Sequence, residues 1–204
     1  MPLARLIERR VSPSTVTVAS FVAGGVCVAF LLADMVWAAL AFWVVNRILD
    51  GLDGVVARRT GRVTDFGGYL DIVLDFVVYA AVPLAIAYGS ARLAYPCALL
   101  LGAMYVNGAT WMYLAAILEK RGRVGAAAGR PTSVVMPAGI VEGTETIVLY
   151  TIMIVVPGWR VTLFLIAAAL ILAGAALRFL QGLRALRRSA PPHADRARDG
   201  GEGR

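Results

Sequence analysis

Asp50-Gly51-Leu52-Asp53-Gly54-Val55-Val56-Ala57-Arg58 is followed, after eight residues, by Gly67-Gly68-Tyr69-Leu70-Asp71-Ile72-Val73-Leu74-Asp75. The two runs place four carboxylates inside an otherwise apolar sequence. An ionised side chain at membrane depth costs several kcal/mol unless it is paired or binds a cation, so such residues mark function by default. Asp50 and Asp53 are spaced i,i+3, and Asp71 and Asp75 i,i+4, so each pair shares one helix face. A turn between Arg58 and Gly67 makes the two helices antiparallel. Asp50 and Asp75 then lie at similar depth, about 12 Å beyond the turn at 1.5 Å per residue. Four carboxylates converging in low dielectric repel one another. Hard divalent cations with oxygen ligands relieve that repulsion.

The surrounding composition sets the class. The chain has 204 residues, 59% of them hydrophobic, and a mean hydropathy of +0.74. These values exceed those of soluble domains and predict an all-α, polytopic membrane bundle. Six spans of about 20 apolar residues follow from the pattern: Val16–Ala33, Val36–Arg58, Phe66–Tyr88, Leu93–Leu118, Val134–Val156 and Val161–Leu183. Residues 1–15 alternate apolar and basic groups, which suits an amphipathic helix lying on the membrane surface. Either Ser12 or Ser14 can cap the first span. Residues 1–188 form one membrane domain, and 189–204, poor in apolar residues, read as a disordered tail.

The net charge of +7 raises nucleic acid as a partner. Its distribution points elsewhere, because the basic residues cluster in alternate loops. Arg5, Arg9 and Arg10 precede the first span, and Arg58, Arg59 and Arg62 lie between the second and third. Lys120, Arg121, Arg123 and Arg130 lie between the fourth and fifth, and Arg184, Arg187 and Arg188 follow the sixth. Arg92 and Arg160 stand singly in the opposite loops. The positive-inside rule puts both termini and the aspartate-side turn in the cytoplasm. Cys27 and Cys97 fall in apolar runs and read as buried thiols.

The pattern D-x2-D-G-x2-A-R-x8-G-x3-D-x3-D resembles the signature of the CDP-alcohol phosphotransferases, with every fixed position filled. Ser12-Pro13-Ser14-Thr15-Val16-Thr17 is similar to that family's N-terminal Pro-Asn-x-Leu-Thr segment, with Ser14 where Asn is usual. The resemblance implies a bacterial inner-membrane transferase with a cytoplasmic site, working as a homodimer among membrane lipids. Such an enzyme moves a phosphatidyl group from a CDP-alcohol, here CDP-diacylglycerol, to an alcohol acceptor and releases CMP. It implies two Mg2+ or Mn2+ ions held by Asp50, Asp53 and Asp71, with Asp75 as ligand and general base. It also implies that Gly54, Ala57, Arg58, Gly67 and Thr17 line the CDP site beside Asp50 and Asp53. Arg58 would offer a fork of donors to phosphate.

The acceptor is open. Arg121 and Arg130 either receive a phosphorylated alcohol or only set topology. Glu142 and Glu145, i,i+3 in the fifth span, suit a polyol or cationic head group, or pair with a loop arginine. Asn107 and Thr110 join such a pocket or simply bond between helices. The sole histidine, His193, lies in the tail, and no P-loop or Rossmann fingerprint is present. Nucleophilic devices built on histidine and nucleotide-binding loops are thereby disfavoured. A transporter using the buried acids for cation or proton passage is the competing class. It gives no reason for Gly54, Ala57 and Arg58 at fixed offsets.

Overall fold

The computed structural model describes residues 12–120 and 143–187. They form six α-helices and one 3-10 turn. The helices are α1 (Pro13–Leu32), α2 (Val36–Thr60), α3 (Asp65–Ala87), α4 (Ala91–Lys120), α5 (Gly143–Val155) and α6 (Arg160–Arg187), with the turn at Pro157–Trp159. An all-α bundle is what the hydropathy pattern predicts. Four helices, α1, α3, α4 and α6, combine the length and apolarity needed to cross a membrane. The 25 residues of α2 are long enough, but its second half carries the charged motif. Only 13 residues of α5 are described. The amphipathic segment before Ser12, the start of the fifth span, and the tail lie outside the described residues.

Local chemistry fixes the ends of the helices that matter most. Ser12 caps α1 by accepting from the Thr15 N–H at 3.2 Å, and Pro13 occupies a first-turn position where no N–H is needed. Gly61 closes α2 with φ 64, in the left-handed region where a Cβ is strained. Thr64 opens α3, its Oγ1 accepting from the Gly67 N–H at 3.1 Å, with Asp65 in the first turn. The reversal between Gly61 and Thr64 makes α2 and α3 antiparallel, as the motif spacing requires.

α1 packs on α2 and α3, α4 packs on α6, and α5 joins the two groups through α2 and α3. Among the described glycines the tightest site is Gly24. A Cβ there would sit 2.7 Å from Val78 Cγ2 and 3.2 Å from Asn46 Nδ2, so the missing side chain lets three helices meet. Gly25 and Gly51, by contrast, face open space. The core beyond this contact is built on Trp43, Val82, Leu100, Tyr150, Met153 and Phe164, all fully or nearly fully buried.

Pro83 sits inside α3. Having no N–H, it leaves the Tyr79 carbonyl without its intrahelical donor. The Tyr150 hydroxyl supplies one, donating to that oxygen at 2.8 Å. Lipid offers no water to do the same, so α5 completes α3.

At the end where α1 meets α2, α3 meets α4 and α5 meets α6, the large aromatics Trp37, Tyr88, Tyr95 and Trp159 are exposed. Such a ring of Trp and Tyr suits a membrane–water interface. The same loops line a cavity of about 580 Å³ that includes Asp34, Arg92 and Arg160. The four aspartates lie toward the other end of the bundle.

Candidate functional site

The carboxylates come from the second half of α2 and the first half of α3. Antiparallel packing sets Asp50 beside Asp75, and Asp53 beside Asp71. The equal depth expected for the outer pair follows from this crosswise arrangement. Asp50, Asp71 and Asp75 line a narrow cleft with Thr17, Ser20 and Asn46. Asp53 is buried at 5% exposure, whereas the side chains of Asp50 and Asp75 keep 23% and 26%. The acidic face is therefore open at one edge and closed at the other.

Thr17 stands on α1, one turn inside the cap, and donates to Asp53 Oδ2 at 2.6 Å. The resemblance implies a place for it beside CDP, and the structure shows it holding a carboxylate of the same acidic face. Arg58 folds back over Gly54, so that a Cβ at Gly54 would lie 3.1 Å from a guanidinium nitrogen. The space at Gly54 thus admits Arg58, beside the face where the resemblance places CDP. Arg58 itself is exposed, at the mouth of the acidic face. Ala57 is half-buried beside it, and its carbonyl accepts from Arg62 N–H at 3.0 Å in the turn. Gly67 belongs to the N-terminal cap of α3.

Spacing arguments miss the cation at the centre. Arg47, on α2, is 9% exposed. Its Nη2 donates to Asp75 Oδ1 at 2.9 Å, and its Nη1 lies 3.6 Å from Asp50 Oδ2. Nη1 also donates to the Tyr79 hydroxyl at 2.7 Å, and Nε to Asn46 Oδ1 at 2.7 Å. The guanidinium lies 4.9 Å from the Trp43 ring centre and 4.7 Å from that of Tyr79. Asn46 carries the network to α1, donating to the Ser20 carbonyl and hydroxyl at 2.8 and 2.9 Å. An arginine in an apolar run needs such partners, and that need was the signal available in the sequence.

The donor chemistry fits a hard divalent cation: four carboxylates and one buried arginine leave the cleft net acidic. As their side chains stand, among the described residues no three potential ligands of the His, Cys, Asp or Glu type converge on one point. Arg47 and Thr17 each engage single oxygens of three of the four carboxylates, Asp50, Asp75 and Asp53.

The acceptor candidates are less gathered. Asn107 Oδ1 accepts from Arg178 Nη1 at 2.6 Å, joining α4 to α6. Thr110 bonds back to the Asn107 carbonyl at 2.7 Å. Arg178 is a second buried cation that spacing does not reveal. Glu145 is exposed in the first turn of α5. Arg121, Arg130 and Glu142 lie outside the described residues.

Residues 10–180 match the family described as CDP-alcohol phosphatidyltransferase. The chain is similar to the inner membrane protein YnjF of Escherichia coli, 36% identical over 150 residues, which are 73% of this chain and 72% of that protein. It is also similar to the CDP-diacylglycerol–serine O-phosphatidyltransferase of Bacillus subtilis, 31% identical over 84 residues, 41% of this chain and 48% of that one. The crystal structure of phosphatidylinositol phosphate synthase from Mycobacterium tuberculosis with CDP-DAG bound has the same fold. It superposes with a TM-score of 0.64 and 21% identity, covering 96% of each chain.

Proposed function

Because the chain belongs to the CDP-alcohol phosphatidyltransferase family and is a membrane transferase of phospholipid synthesis, we propose that it transfers a phosphatidyl group from CDP-diacylglycerol to an alcohol. The observation that carries this reading is the crosswise meeting of Asp50 with Asp75 and Asp53 with Asp71 on one open acidic face. The transporter reading gives way to family membership.

In the proposed reaction the acceptor hydroxyl oxygen attacks the phosphorus bearing the lipid alcohol. The bond from that phosphorus to the CMP oxygen breaks, and CMP leaves. Asp75 takes the hydroxyl proton. Asp50, Asp53 and Asp71, with Asp75 adjoining, would hold Mg2+ or Mn2+ as a pair of ions. Bound there, the ions would neutralise charge on attacking and leaving oxygens. Arg58, poised over Gly54, turns its donors to the pyrophosphate. Thr17 fixes Asp53, which sets the direction of that carboxylate before substrate arrives.

Purified protein given CDP-diacylglycerol, Mg2+ and a panel of alcohols should release CMP with one class of acceptor. Divalent ions should also raise its thermal stability, and Asp53→Asn should abolish that increment. Full CMP release in excess chelator would sink the metal assignment.

The proposed orientation puts the aspartate end in the cytoplasm, because Arg58, Arg59 and Arg62 lie there. The native thiols Cys27 and Cys97 are 0% and 2% exposed, which gives a low labelling background. In intact cells an impermeant thiol reagent should label a cysteine placed at position 90 and spare one at 62. The reverse pattern overturns the orientation.

A further inference from the structure

Among the described residues, Arg47 is the buried cation that meets the aspartates from inside the bundle. Each of its three guanidinium nitrogens is engaged: Nε donates to Asn46, Nη1 donates to Tyr79 and pairs with Asp50, and Nη2 donates to Asp75. Two aromatic rings flank it, and Tyr79 serves as both ring and acceptor. Behind those rings Tyr150 stacks on Trp43 at 5.7 Å and meets Tyr79 edge-on at 5.6 Å. The arginine is therefore fixed by α2, α3 and α5 together and has little freedom to leave. It holds one oxygen of each outer carboxylate, Asp50 Oδ2 and Asp75 Oδ1.

We propose that Arg47 is a built-in counter-cation of the acidic cleft, a positioning residue that competes with divalent cations for Asp50 and Asp75 and pins one oxygen of Asp75. The inference rests on the reading of the four aspartates as a cation site. Its logic is charge and geometry. With Arg47 in place, the outer carboxylates are partly neutralised and a divalent ion meets weaker attraction. The cleft then stays folded with the ion absent, and the ion is bound less tightly. With Nη2 on Asp75 Oδ1, the other carboxylate oxygen is the one left to accept a proton from the acceptor alcohol. A lysine at this position keeps the charge. Its single ammonium cannot reproduce three directed donations and an ion pair from one planar group, so it would hold at most one carboxylate well.

The test titrates Mg2+ against thermal unfolding of the full-length protein in detergent, without donor substrate and at constant ionic strength. Wild type, Arg47→Gln, Arg47→Lys and Asp53→Asn are compared. Arg47→Gln should melt lower without Mg2+, yet reach half-maximal stabilisation at a Mg2+ concentration about tenfold lower or less, since a positive charge beside the ion is gone. Arg47→Lys should fall between it and wild type. Turnover at saturating Mg2+ should drop about tenfold or more in Arg47→Gln and recover in part in Arg47→Lys. A merely structural arginine would lower the melting temperature and leave the Mg2+ midpoint where it was. An Arg47→Gln midpoint equal to or above wild type overturns the proposal. Should that variant fail to fold, an Arg47→Lys midpoint no lower than wild type overturns it equally. Asp53→Asn separates the two readings. Mg2+ stabilisation that is absent from wild type, or intact in Asp53→Asn, removes the cation site and the inference with it. Stabilisation lost in Asp53→Asn alongside an unshifted Arg47→Gln removes only the role of Arg47.

Discussion

Asp75→Asn is expected to lower turnover by two or more orders of magnitude while leaving CDP-lipid binding largely intact. Asparagine keeps the size of the side chain and an oxygen able to accept from Arg47 Nη2, the contact that measures 2.9 Å in the native protein. It removes the charge and the ability to take a proton. A positioned general base is typically worth about 10²–10⁴-fold, and that range sets the expected loss. Asp50→Asn is the comparison. Asp50 faces Asp75 across the cleft and makes the longer contact to Arg47, 3.6 Å. As a proposed ion ligand it should weaken donor binding and turnover together. CMP release and CDP-lipid binding, both at saturating Mg2+, distinguish the two patterns. Native turnover in Asp75→Asn would take Asp75 out of the mechanism.

Trp43→Ala is expected to destabilise the bundle by about 3–5 kcal/mol, the range for emptying a buried Trp site. Trp43 is 0% exposed, stacks on Tyr150, covers the Arg47 guanidinium, and donates from Nε1 to Thr151 at 3.0 Å. The cavity would open directly behind Arg47, so loss of the ring also loosens the charge pair in front of it. Trp43→Phe keeps an aromatic face and loses the donation to Thr151, so it should cost about 1–2 kcal/mol. Thermal or denaturant unfolding in a fixed detergent reads both. A Trp43→Ala protein as stable as the native one would show that Tyr150 and Tyr79 hold the arginine without it.

The helices and the pairing of the carboxylates were legible because both follow from short-range rules. Ser12 or Ser14 offered a cap for α1, and the stretch between Arg58 and Gly67 left room for the reversal that Gly61 and Thr64 make. The i,i+3 and i,i+4 spacings then bring the aspartates face to face without reference to the rest of the chain. Partners across helices were not legible. Thr17 meets Asp53 across 36 positions, and Arg47 meets Asp75 across 28. Such pairings depend on the rotation of each helix about its axis, which hydropathy does not record in a segment apolar on all sides. Arg47 and Arg178 nevertheless carried a clue, since an arginine within an apolar span must find partners. The contact of Gly54 with Arg58 was not legible for a similar reason. The glycine is local, but the Arg58 side chain that fills its space takes a conformation that sequence alone does not specify.

The polar network through α2 bears on how the protein is made. A lone α2 would bring Arg47, Asp50 and Asp53 into the hydrocarbon, and each ionised residue near a helix centre opposes insertion by about 2.5–3.5 kcal/mol. Their partners are Thr17 and Ser20 on α1, reached directly or through Asn46, and Asp75 and Tyr79 on α3. Those partners flank α2 in the chain, so the first set has been synthesised before it and the second follows within about twenty residues of its end. The second helix is thus better suited to enter the bilayer in company than alone. The translocation machinery would have to retain it until α3 emerges, so that the acidic cleft forms as three neighbouring segments pass into lipid together.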